Sequence, residues 1–94
     1  MAEVRVGAYR RPMPTLLRAG PYQFYIVMFD CRERKHVHVR GSGSGRAKLW
    51  LEPEVGVAAF TGYTAHDASA ITSIAREHRE TLVRGWIEEC GRQE

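Results

Sequence analysis

Residues 36–51 read H-V-H-V-R-G-S-G-S-G-R-A-K-L-W-L, two alternating arms about a glycine–serine loop. This run constrains the fold more than any other stretch of the chain. Alternation of apolar and polar residues is the mark of a half-buried strand, and a glycine-rich loop between two such runs closes a hairpin. Side chains point to opposite faces along a strand. Val37 and Val39 therefore share a face with Ala47, Leu49 and Leu51, and that apolar face belongs in a core. The other face gathers His36, His38, Arg40, Arg46, Lys48 and Trp50. The Gly41–Gly45 segment lacks the lysine and following helix of a phosphate-binding P-loop and reads as a flexible turn.

The flanking segments supply the rest of a sheet and a helical cover. Thr15 to Arg18 is a short strand, and Gly20-Pro21 is a turn. Tyr22 to Phe29 is almost wholly apolar and aromatic, as a central strand is. Asp30 to Lys35 is a polar loop. Pro53 ends the second hairpin arm because it has no N–H for a ladder, and Val55 to Phe60 is a further strand. The period then changes. Thr64 is placed as an N-cap, with Asp67 three residues on as in a capping box. Ile71, Ile74, Ala75, His78, Leu82, Trp86 and Cys90 recur at helical spacing, and Gly91 is a natural stop. One straight helix over 65–90 would be about 39 Å long at 1.5 Å per residue, so a break near Glu77 to Glu80, or near Gly85, is expected. The expected fold class is α+β: an antiparallel β-meander of three to five strands packed on one side by C-terminal α-helix, long and kinked or split in two. Residues 13–94 read as a single domain. Residues 1–12 read as an extension or arm, with Met13-Pro14-Thr15 as a second beginning.

Composition narrows the class. The apolar share of 44% suits one core and argues against a disordered chain. No apolar run approaches the roughly 18 residues that span a bilayer, and no signal peptide opens the chain. Cys31 and Cys90 form no C-x-x-C pair and read as free thiols. These points place the protein in the cytoplasm. The net charge of +3 is uneven. Residues 31–48 hold Arg32, Arg34, Lys35, Arg40, Arg46 and Lys48 against Glu33, a local net of +5, whereas residues 49–94 hold four arginines against eight acids, net −4. A focused basic patch attracts phosphate-bearing partners.

Three chemistries suit such a face. An imidazole beside Arg and Lys can act as acid or base on a phosphodiester, with cations stabilising charge on phosphorus. In that ribonuclease-like reading His36 and His38 are catalytic, and Arg40, Arg46, Lys48 and Trp50 hold phosphate and base. A non-catalytic module would use the same face to dock an acidic protein or DNA. Thirdly, His36 and His38 at i and i+2 can share a divalent metal. Zinc needs three or four ligands, and Asp30, Cys31, Glu33, His66 or His78 would have to complete the set, none at a recognisable spacing. No other cofactor is indicated. No Ser-His-Asp order and no paired-carboxylate signature is present. An uncovered sheet edge would allow a homodimer or strand pairing with a partner.

Several segments together resemble one family. M-P-T-L-L-R-A-G-P-Y-Q-F-Y, H-V-H-V, A-K-L-W-L-E-P, G-Y-T and E-H-R-E-T-L-V-R-G-W occur in order from Met13 to Trp86. They are similar to the small bacterial proteins of domain of unknown function 4160. The resemblance implies a compact bacterial or phage protein, a toxin–antitoxin component often encoded beside a small cognate partner of domain of unknown function 2442. The family's H-x-H falls on His36 and His38, and its A-K-x-W-L on Ala47, Lys48, Trp50 and Leu51. The family usually has proline before the first histidine. This chain has Lys35, which adds charge and removes a rigid lead into the strand.

Overall fold

The computed structural model describes residues 13–91; the expected arm over residues 1–12 lies outside them. Five strands run in the order β1 (Thr15–Ala19), β2 (Tyr22–Tyr25), β3 (His36–Arg40), β4 (Arg46–Trp50) and β5 (Gly56–Thr61), each antiparallel to its neighbour. Two helices follow, α1 (Ala65–Glu77) and α2 (Arg79–Gly91). The fold is thus α+β, a five-stranded meander with its helices at the C-terminal end of the chain.

The hairpin has the register that alternation demands. Val37 faces Leu49, Val39 faces Ala47 and His38 faces Lys48. On the other side of β3, Phe24 pairs with Val39 and Tyr25 with His38. Phe24, Val37, Val39, Ala47, Leu49 and Leu51 are buried with Ile71, Ala75 and Leu82 of the helices, so the apolar face of the sheet is the one the helices cover. The loop glycines are not all interchangeable with other small residues. A Cβ on Gly45 would lie 2.6 Å from the Tyr63 ring, which packs over that backbone.

The helix start is as the sequence spells it. The Asp67 amide donates to Thr64 Oγ1 (3.1 Å), and the Thr64 amide donates to Asp67 Oδ2 (3.2 Å), a reciprocal capping box. Tyr22 donates its hydroxyl to Asp67 Oδ1 (2.8 Å), tying β2 to that helix terminus. The expected break falls at His78 (φ −110°, ψ 22°) between the two helices. There Arg79 Nε donates to the Leu51 carbonyl (2.6 Å), satisfying a backbone acceptor past the end of β4.

Two expectations need correction. The central strand stops at Tyr25 rather than reaching Phe29. Ile26 leaves the sheet and donates its amide to Pro14 (3.1 Å), and Met28–Asp30 form a 3-10 turn. Met28 turns inward there and Phe29 is 91% exposed. An unbroken apolar run cannot show where a strand ends. The cysteines are not free thiols: Cys31 and Cys90 form a disulfide with Cα atoms 5.5 Å apart. Both border a second small core of Ile26, Met28 and Trp86. The bridge joins the 3-10 turn to the last turn of α2, a pairing that spacing along the chain cannot disclose. A disulfide is what oxidising compartments preserve, so the cysteines no longer argue for a cytoplasmic protein. No helix among the described residues is long and apolar enough to cross a membrane.

Candidate functional site

β3 aims His36 and His38 to the face away from the main core, and the 3-10 turn brings Asp30 onto the same spot. One carboxylate oxygen, Asp30 Oδ2, lies 3.0 Å from His36 Nε2 and 3.0 Å from His38 Nε2. The three donor atoms lie within 4.8 Å of one another. The turn that cuts the central strand short is therefore what builds the site.

The two histidines differ in access. His36 was expected on an outward polar face, yet its side chain is 0% exposed. Trp86 of α2 lies against it with ring centroids 5.1 Å apart, Trp50 at 5.8 Å and His38 at 5.0 Å. Its Nδ1 is 2.8 Å from the Arg34 carbonyl. A carbonyl can only accept, so Nδ1 carries the hydrogen. His38 keeps 23% of its side chain exposed and Asp30 keeps 21%. The His38 ring stacks on Tyr25 at 5.5 Å. Burial pushes the Asp30 carboxyl up, but hydrogen bonds from His38 and His36 and the charges of both outweigh it, and the net displacement is downward.

Cations and aromatic rings surround this centre. The Arg40 guanidinium sits 4.8 Å over the Tyr25 ring, and its Nε donates to Gln23 Oε1 (3.0 Å). Arg34 lies 4.5 Å and Lys48 Nζ 4.9 Å from the centre of the Trp50 ring. Lys48 also pairs with Glu33 (3.2 Å). Arg46 turns back to the Gly45 carbonyl (2.7 Å) and the Gly43 carbonyl (3.3 Å). An open cleft of about 220 Å³ lies beside His38, walled by Arg46, Lys48, Ala59 and Phe60 among others.

Of the residues singled out from the sequence, His36, His38, Arg40, Lys48 and Trp50 thus meet on one face, with Arg46 at its rim. Trp50 does not offer a bare ring, because two cations already lie over it. His66 and His78 take no part in the cluster. Sequence reasoning named Asp30 only as one of five residues that could complete a metal set, and it gave Tyr25 no part in the site. For Asp30 the signal was thin: an acid closing an apolar run six residues before a histidine pair. The family described as Domain of unknown function (DUF4160) matches residues 22–87, a stretch that includes Asp30, both site histidines, Lys48 and Trp86 and stops short of Cys90. No curated protein and no solved structure matches the chain.

Proposed function

The chain belongs to the DUF4160 family, and from that premise and the geometry of the face we propose that it engages RNA through the basic side of its hairpin, with His38 as the acid–base group. The observation that carries the proposal is one line of contacts that ends on His38. It runs from the Arg34 carbonyl through His36 to Asp30 Oδ2 and on to His38 Nε2. Every member is held from one side, and the line ends on the one partly exposed imidazole in the cluster.

A carboxylate that accepts from one ring nitrogen fixes the tautomer of the other, which is how a histidine is prepared for proton transfer. Here Asp30 accepts from His38 Nε2–H, and His38 Nδ1 is left to exchange protons with a substrate. His36 positions Asp30 and does not touch substrate, which revises the sequence expectation of two catalytic histidines. Lys48 stands directly across the ladder from His38, and Arg40 lies over the Tyr25 ring on which His38 stacks. Both are placed to hold phosphate, with Arg46 at the cleft, and Trp50 positions Lys48. Growth-arresting RNA cleavage would make the chain the toxin-like member of a toxin–antitoxin pair.

The test is binding and cleavage of single-stranded RNA, with growth on expression followed in parallel. Three phosphate contacts give a log–log salt slope of about −2, and Lys48→Ala lowers its magnitude by about 0.7. His38→Ala should abolish cleavage and growth arrest while binding persists. Binding that ignores salt, or cleavage that survives His38→Ala, would remove the reading.

A further inference from the structure

The same three side chains make a second kind of site. We infer that Asp30, His36 and His38 form a centre for a first-row divalent transition ion, ligated by Asp30 Oδ2, His36 Nε2 and His38 Nε2. The inference shares the face of the reading above and does not need RNA; with an ion bound, His38 Nε2 gives up the hydrogen that reading assigns it.

The argument begins at His36. Its Nδ1 hydrogen is committed to the Arg34 carbonyl at 2.8 Å, so the neutral ring presents a lone pair at Nε2. That lone pair meets Asp30 Oδ2 at 3.0 Å, and a carboxylate oxygen presents lone pairs too. Two acceptors at contact distance need a cation between them. A proton can meet the need as an imidazolium paired with Asp30 at 3.0 Å and Glu33 at 3.8 Å, and a divalent ion meets it with the ring neutral.

The second observation is convergence. Both imidazoles point at a single oxygen, Oδ2, rather than one at each carboxylate oxygen. Two separate ion pairs gain nothing from sharing an acceptor, whereas ligands of one ion must crowd. Metal–nitrogen and metal–oxygen bonds of about 2.0–2.1 Å set neighbouring donors about 2.9 Å apart around an octahedral ion and about 3.3 Å apart around a tetrahedral one. The two carboxylate–imidazole separations of 3.0 Å fall in that interval. A backbone carbonyl on the remote nitrogen of a ligating histidine is also the usual means of fixing its tautomer and ring plane.

Two imidazoles and a carboxylate suit zinc, iron(II), nickel or cobalt, and are too nitrogen-rich for magnesium or calcium. Three ligands leave positions open, and His38, one of the three, also lines the cleft with Arg46 and Lys48. With an ion in place His38 is a ligand, and any phosphodiester chemistry on this face becomes metal-dependent.

The experiment is titration of the metal-free, disulfide-intact chain with cobalt(II) chloride, followed by its visible d–d bands, then displacement by zinc. One equivalent should bind. Asp30→Asn and His38→Gln, both partly exposed positions, should each weaken binding tenfold or more with unchanged far-UV circular dichroism. The inference is overturned if no bands develop, if both variants bind like the parent, or if a thiolate-to-cobalt charge-transfer band places the ion on reduced cysteines. RNA binding measured without metal in the same samples separates the two proposals. Metal without RNA sinks only the earlier reading, and RNA without metal sinks only this one.

Discussion

Replacing both cysteines, as Cys31→Ala/Cys90→Ala, releases a loop closed across 59 residues. In the chain-entropy account, closing a loop of that length removes about 14 cal/mol/K from the unfolded ensemble, or about 4 kcal/mol at 25 °C. The folded chain also loses the tie between the 3-10 turn and the end of α2. For a domain of this size 4 kcal/mol corresponds to a fall in Tm of roughly 20 °C. The site should feel the change as well, because Cys31 directly follows Asp30 and the bridge borders the Trp86 cluster that covers His36. The assay is thermal unfolding of the oxidised parent and the variant, followed by circular dichroism at one pH, with thiol titration of the unreduced, unfolded parent. Two titratable thiols in that parent, or a fall in Tm of less than about 5 °C, would refute the reasoning.

Other perturbations reach other joints of the fold. Trp86→Ala empties the second core and should cost about 3–5 kcal/mol in chemical denaturation, with solvent exchange at the His36 ring as a second readout. Thr64→Ala removes half of the capping box and should cost about 1 kcal/mol, seen as a lower denaturation midpoint without a change in slope. Gly45→Ala forces the Tyr63 ring aside and should cost about 1–3 kcal/mol; combined with Tyr63→Ala the loss should be smaller than the sum of the two. The Asp67 carboxyl is held below its ordinary value by the Tyr22 hydroxyl first and then by the amide and hydroxyl of Thr64. Its contribution is present above the unfolded-state value near 3.8 and is lost as pH falls through the lower folded-state value. Asp67→Asn should therefore flatten the acid limb of the stability curve, read as denaturation midpoint against pH.

The hairpin was legible because alternation is a local signal, and register follows once one face must be apolar. Val37, Val39, Leu49 and Leu51 are buried as that pattern requires. The capping box and the break between the helices were legible for the same reason, each written in a few adjacent residues. What failed to show was non-local. Ile26 to Phe29 continue an apolar run, and only contacts with Pro14, Trp86 and the disulfide pull that run off the sheet. His36 alternates like a solvent-facing residue, but Trp50 and a second tryptophan fifty positions later pack against it. The candidate site was legible as a face and not as a centre. The pairing of His36 with His38 lies in the strand period, but the carboxylate that joins them comes from a turn whose place is set by tertiary packing.

The gathering of both imidazoles on one carboxylate oxygen is tested most directly by long-range proton–nitrogen NMR of the imidazole rings in the metal-free chain, before and after Asp30→Asn. The geometry predicts that His36 carries its hydrogen on Nδ1, and that the substitution shifts the Nε2 resonances of His36 and His38 together. His66 and His78 should stay where they are. A shift at only one of the two site histidines, or at neither, would contradict the shared centre on which both proposals stand.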